Sequence, residues 1–301
     1  MRVDFFIEGI VKHLIPNDSL LYKRLKLFVM KKRAKKASIP QSLLSFQVKL
    51  VEHCNLNCKS CFVFSPIAKT KFLSVDTFAR DCERLSKLTD RRVGMIALAG
   101  GEPLLHPKIT EIFDTTARYF DKNLGGGVVL VTNGILLLKQ PETFWQSCKK
   151  NRISIVVTKY PINLDFHEMQ RIATKYKVKF EFQGNTELAE KTMFYCPLDA
   201  SGSQKDSIKL CTARNGVCST LQDGKLYTCY LIPAIDHFNS YFNQNFEVVE
   251  DDYIDIYKVS NITQILEFLS KSVPFCRYCN IKEIVTGIKW GISKKDISEW
   301  I

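Results

Sequence analysis

The chain of 301 residues carries eleven cysteines, and seven of them fall into two spaced groups. The first is Cys54-Asn-Leu-Asn-Cys58-Lys-Ser-Cys61; the second runs Cys211, twelve residues, Gly224, four residues, Cys229, then Cys276-Arg-Tyr-Cys279. An odd cysteine count argues against a disulfide framework. The start also lacks a signal peptide's basic head, with Asp4 and Glu8 standing in it, and no apolar run is long enough to cross a bilayer. A reducing, cytoplasmic setting is expected, in which such thiols serve metals. Three thiolates in one short loop suit an iron-sulfur cube with one open iron better than structural zinc, which takes four protein ligands. His53 is poorly placed as a fourth ligand, because side chains of neighbouring strand residues point opposite ways.

The elements that must position these groups follow from Phe46 onward. Short β-branched runs at Phe46 to Glu52, Met95 to Ala99, Gly127 to Thr132, Ile153 to Thr158 and Val178 to Phe182 alternate with helical stretches. Those helices are Val75 to Lys87 (capped by Ser74), Lys108 to Phe120, Glu142 to Lys150 and Phe166 to Tyr176. The alternation predicts parallel strands with crossover helices, in too few repeats for a closed eight-fold barrel. The first cysteine loop emerges at the carboxyl end of the first strand. The second strand ends in Gly100-Gly101-Glu102-Pro103, where two glycines would let backbone approach a ligand closely. Beyond the alternation, a hairpin is expected from Val217 to Leu221 and Lys225 to Cys229 around Asp223-Gly224. The expected organisation is an extension over 1–45, a partial barrel over 46–190 and a cysteine-bearing unit over 191–301.

The cysteine loop and the Gly-Gly-Glu-Pro segment one strand later together resemble the radical S-adenosylmethionine (radical SAM) superfamily. The resemblance implies an α/β fold, a partial (β/α) barrel of the radical SAM type with a small C-terminal iron-sulfur domain. It implies Cys54, Cys58 and Cys61 as ligands of a 4Fe-4S cluster, with Gly100, Gly101 and Glu102 contacting SAM. Thr132 and Asn133 are similar to the ribose-side segment, although Asn133-Gly134 also reads as a plain turn, and Ser154 is similar to the polar position facing the cofactor. An aromatic residue often precedes the third cysteine in the family; Ser60 stands there, with Phe62 following. Cys211, Cys229, Cys276 and Cys279 resemble the ligand set of a twitch domain with one auxiliary 4Fe-4S cluster. A full SPASM domain needs three further cysteines, and none follows Cys279.

Four cysteines remain. Cys82 and Cys148 share helix faces with large apolar residues and read as buried thiols. Cys196 and Cys218 are candidate hydrogen-atom donors at the barrel mouth, and Lys159, after the fourth strand, is a candidate substrate contact or a solvent-facing loop lysine. The net charge of +12 is concentrated: eight basic residues and no acidic ones lie between Lys23 and Lys36, with apolar residues at helical spacing. That basic amphipathic helix reads as a helix packed on the main domain, as a contact to the inner face of the membrane, or as a nucleic-acid contact.

The resemblance implies reductive cleavage of SAM to a 5′-deoxyadenosyl radical that abstracts hydrogen from substrate, the reductant being an external flavodoxin- or ferredoxin-like protein. Too little sequence precedes Phe46 for an N-terminal peptide-recognition domain, which favours a small polar metabolite (sugar, cyclitol or nucleotide-sugar) undergoing dehydrogenation or epimerisation. Modification of a peptide is the alternative. A metal-stabilised nucleic-acid-binding module is a reading of another class, disfavoured because basic and aromatic positions are not paired elsewhere, so no nucleic-acid partner is expected.

Overall fold

The computed structural model describes residues 40–120, 126–183, 192–204, 207, 211, 216 and 218–301. The basic helix expected between Lys23 and Lys36 lies outside them. Five parallel strands, β1 (Ser45–Val51), β2 (Met95–Gly100), β3 (Gly127–Thr132), β4 (Ile153–Thr158) and β5 (Phe180–Gln183), lie in the order β5-β4-β3-β2-β1. They are connected through α1 (Val75–Leu88), α2 (Ile109–Tyr119), α3 (Glu142–Lys150) and α4 (Phe166–Lys175). This is an α/β fold with the open parallel sheet of a partial barrel.

Alternation along the strands decides what each face does. Ile96, Leu98, Leu130, Ile155 and Val157 are fully buried and pack with Phe78, Leu85, Phe113 and Trp145 of the covering helices in one core. The opposite face carries Ala97, Ala99, Val129, Val131, Ser154 and Val156, all half-buried. These side chains alternate with the buried ones and so face away from the helix-covered core. Helix α1 begins as its sequence dictates: the Ser74 hydroxyl accepts the Thr77 amide at 3.3 Å, with Asp76 in the first turn and Lys87 in the last.

Part of the second half joins the main sheet. The hairpin is shorter than expected, β7 (Thr220–Gln222) and β8 (Lys225–Tyr227), and β7 pairs parallel with β1. With β9 (Tyr253–Asp255) it extends the main sheet to eight strands. Asp223 and Gly224 both have positive φ, 50° and 74°, as a type I′ turn requires. The sheet therefore crosses the boundary expected at 190/191. What is separate is a second core, in which Phe64 and Ile67, just beyond Cys61, pack with Ile232, Phe238, Phe275 and Trp300. Phe238 belongs to α5 (Ile235–Phe242); α6 (Ile262–Ser270) buries Ile265 and Leu269 in the main core instead. A two-stranded ribbon joins β6 (Thr192–Tyr195) to β10 (Val285–Lys289). No helix among the described residues is long and apolar enough to cross a membrane.

Candidate active site

The carboxyl ends of β1 and β2 are fastened together. The Gly101 amide donates to Val51 O at 2.7 Å and the Glu102 amide to His53 O at 3.1 Å. A Cβ on Gly100, where φ is +139°, would stand 2.4 Å from Val51 O, and one on Gly101 would stand 1.9 Å from His53 O. Both glycines are required by the approach of the chain to itself, where the segment carrying Cys54 crosses the end of β2.

That crossing delivers a fixed carboxylate. Glu102 is fully buried; its Oε1 accepts the Leu104 amide at 3.0 Å and the Thr132 hydroxyl at 2.6 Å, and its Oε2 accepts the Asn133 amide at 2.9 Å. Burial pushes its carboxyl up, against these three hydrogen bonds. All three donors are neutral, so a cationic group of a ligand would supply the compensation that a buried carboxylate seeks. Asn133 extends the network: its Nδ2 donates to Asn55 Oδ1 at 2.7 Å and lies 3.6 Å from Cys54 Sγ. Glu102, Thr132 and Asn133 therefore stand together beside Cys54. Ser154 lies on the open sheet face opposite Val129.

The three loop thiols form one electrostatic group. Burial pushes the Cys54 thiol up to about 12, helped by Glu102, Cys61 and Cys58 and opposed by the Leu56 amide. Burial also raises Cys61, against hydrogen bonds led by the Ser65 and Val63 amides. Such thiols become thiolates when a cation binds them. Three neighbouring thiols with amide donors on sulfur suit an iron-sulfur cube, which takes one sulfur per iron.

Cys58 receives help from outside its loop. Trp290 Nε1 donates to its Sγ at 3.1 Å, and the Tyr160 phenol, raised by burial and by the neighbouring Cys58, hydrogen-bonds the same thiol. The Tyr160 and Trp290 rings lie 5.7 Å apart. Lys159 turns away, its ammonium 4.2 Å from the Phe182 ring centroid and 4.8 Å from that of Phe166, which is a cation–π site and not a loop lysine in open solvent.

The second thiol group closes on one pocket. Cys211, Cys229, Cys276 and Cys279 all line it, with apolar neighbours such as Ile232 and Phe275. Burial drives Cys229 well up, with Cys279 adding to the rise and the Ile232 amide opposing it. Four thiols in an apolar pocket, with amides aimed at sulfur, fit a cluster ligated wholly by protein. Cys196 joins this group, its Sγ 3.3 Å from that of Cys279. The structure therefore places Cys196 with the second thiol group, while burial first, then Cys218, Cys229, Cys211 and Cys279, raise the Tyr230 phenol. Cys82 and Cys148 are buried in the helix-covered core.

Sequence reasoning missed Trp290, the role of Tyr160, and the bridge from Glu52 to His237. A lone aromatic residue near the end of the chain has no spacing relative to Cys58 that could reveal contact.

The radical SAM superfamily family model matches residues 48–171. Among curated proteins, the chain is similar to the antilisterial bacteriocin subtilosin biosynthesis protein AlbA of Bacillus subtilis (strain 168), with 27% identity over 122 residues, 40% of this chain and 25% of AlbA. The match thus spans about a quarter of that relative's length. Among solved structures, BtrN in complex with AdoMet and 2-DOIA is similar at 17% identity and a TM-score of 0.47, over 80% of this chain and 94% of BtrN. Native anSMEcpe with bound AdoMet and Kp18Cys peptide is similar at 24% identity and a TM-score of 0.37, over 46% of this chain and 42% of that one.

Proposed function

We propose that the radical SAM superfamily domain at residues 48–171 works here within an oxidoreductase that removes hydrogen from a C–H bond of a small polar metabolite, a sugar, cyclitol or nucleotide-sugar. Cys54, Cys58 and Cys61 would hold one 4Fe-4S cluster, and Cys211, Cys229, Cys276 and Cys279 a second. The chemistry supplied when SAM and the first cluster are bound is one-electron cleavage of SAM followed by hydrogen-atom abstraction. An external one-electron reductant, flavodoxin- or ferredoxin-like, is the partner this requires.

The observation that carries the reading is the pocket shared by the four C-terminal thiols. A cluster with four protein ligands has no iron left for substrate, which suits it to accepting an electron. The location of Cys196 supports an oxidative outcome, since this unassigned thiol stands with the second group. The chain's own part is positional. Glu102, held by Leu104, Thr132 and Asn133, would receive the ammonium of SAM; Asn133 would steady the Cys54 side of the loop. The sheet face carrying Ala97, Ala99, Val129 and Ser154, turned away from the helix-covered core, would receive a compact substrate.

The test is anaerobic reconstitution. About eight irons per chain, two cubes, are expected, with release of 5′-deoxyadenosine when SAM and a strong reductant are added. Bound zinc with no nucleoside release would overturn the reading. A second reading, modification of a peptide, draws on the similarity to AlbA, a bacteriocin biosynthesis protein. Turnover of a peptide but of no sugar or cyclitol would select it.

A further inference from the structure

The last dozen residues are laid across the first cysteine loop. Cys58 and Ile292 form an antiparallel bridge; the Lys59 amide donates to Gly291 O at 2.8 Å and the Ser293 amide to Asn57 O at 2.8 Å. Ser60, in the left-handed region at φ 54°, directs its amide to Glu299 Oε2 at 3.4 Å. Glu299 is buried and is itself fixed by the Ser293 hydroxyl at 2.7 Å. Trp300 Nε1 closes the far side on Cys61 O at 2.9 Å. These contacts hold Trp290 so that its indole N–H meets Cys58 Sγ at 3.1 Å. Indole nitrogen only donates, so the direction of this bond is fixed.

We propose that Trp290 is a positioning residue that sets the reduction potential of the cluster held by Cys54, Cys58 and Cys61, through its N–H bond to the Cys58 sulfur. The inference rests on the assignment of that cluster in the proposed function. Reduction adds one electron, and part of the added negative charge falls on the ligating sulfurs. A donor aimed at one of them stabilises the reduced state more than the oxidised one and raises the potential. Tyr160, the second donor on Cys58, acts with the same sign. The electron comes from the external reductant, and the bond makes its delivery easier. The C-terminal stretch thereby tunes a site formed far away in sequence.

The test is a redox titration of reconstituted protein followed by electron paramagnetic resonance, with Trp290→Phe and Tyr160→Phe beside the parent. The first cluster is recognised because SAM changes its signal; the second serves as an internal reference. Trp290→Phe keeps the ring and loses the donor. The expected result is a roughly tenfold lower reduced-to-oxidised ratio at fixed poise, about 59 mV for one electron, with the SAM-insensitive signal unmoved. Tyr160→Phe is expected to shift the ratio the same way. An unchanged midpoint in both variants overturns the inference while leaving the function intact; absence of any SAM-responsive cluster in the parent overturns the function itself. If Trp290→Phe fails to load iron, parent protein carrying indole-¹⁵N tryptophan decides: a resolved ¹⁵N coupling on the SAM-responsive signal supports the bond, and its absence overturns it.

Discussion

Glu52 Oε2 accepts from Lys49 Nζ at 2.7 Å and lies 3.0 Å from His237 Nε2, so the end of β1, just before the Cys54 loop, is tied to a helix of the second core. Lys49 is 3% exposed at its side chain. Burial lowers its basicity, against the pull of Glu52, while Glu52, despite burial, is held down to about 2 by His237 and Lys49. The geometry decides what a substitution does: removing the carboxylate leaves a buried ammonium, whereas removing the imidazole leaves the ion pair whole. Glu52→Gln is expected to cost about 3 kcal/mol and His237→Gln about 1 kcal/mol, read by denaturant unfolding. Equal costs would show that His237 carries as much of the network as the ion pair does.

Gly101 offers a sharper steric test. A methyl group there meets His53 O, a backbone atom of the segment that carries Cys54, at 1.9 Å. Gly101→Ala must push that segment off the end of β2. The expected cost is about 2 kcal/mol, together with lost iron at the first thiol group and retained iron at the second. Iron analysis and electron paramagnetic resonance read both. Full loading of both groups would show that the crossing yields without consequence.

The five parallel strands and their helices were legible because hydrophobic alternation and helix caps are local signals: Ser74 caps α1, and Ile153, Ile155 and Val157 mark one face of β4. The grouping of Cys211, Cys229, Cys276 and Cys279, which line one pocket, came from the resemblance to a twitch domain. Three features were not legible, because each joins residues far apart in the chain. The pairing of β7 with β1 spans 173 residues at Gln47 and Thr220; Trp290 meets Cys58 across 232; and Glu52 meets His237 across 185. The packing of the glycine pair against Val51 O and His53 O was not legible either, since sequence cannot say whose backbone comes near.

Thr132 tests the carboxylate cradle. Its hydroxyl gives Glu102 a 2.6 Å hydrogen bond and also accepts the Gly134 amide at 3.0 Å. Thr132→Val keeps the shape and removes a donor from a buried carboxylate, a loss of about 2 kcal/mol. The chain should still fold and bind iron. Its SAM affinity, measured by equilibrium binding to reconstituted protein, is expected to fall about 30-fold, since each 1.4 kcal/mol is a factor of ten. Unaltered affinity would mean that Glu102 does not receive the ligand's cation.

Cys196 and Cys279 are close enough to react with each other once iron no longer occupies Cys279. Their sulfurs lie 3.3 Å apart, and the Cys279 thiol is raised first by its hydrogen bond with Cys196 and then by burial. A thiol raised in this way is a slow nucleophile at neutral pH, so the attack on oxidant falls to Cys196, which is half-buried. With oxidised glutathione as oxidant, Cys196 first forms a mixed disulfide; Cys279 then displaces glutathione. The two thiols give up two protons and two electrons, which appear as two molecules of reduced glutathione. Iron-stripped protein treated in this way is expected to yield a Cys196–Cys279 cross-linked peptide by mass spectrometry, with Cys82 and Cys148, buried in the core, left unmodified. Cys196→Ser should abolish the cross-link yet keep the iron of the second cluster. Loss of that iron in Cys196→Ser would instead make Cys196 a ligand, and the four-thiol assignment would have to be redrawn around it.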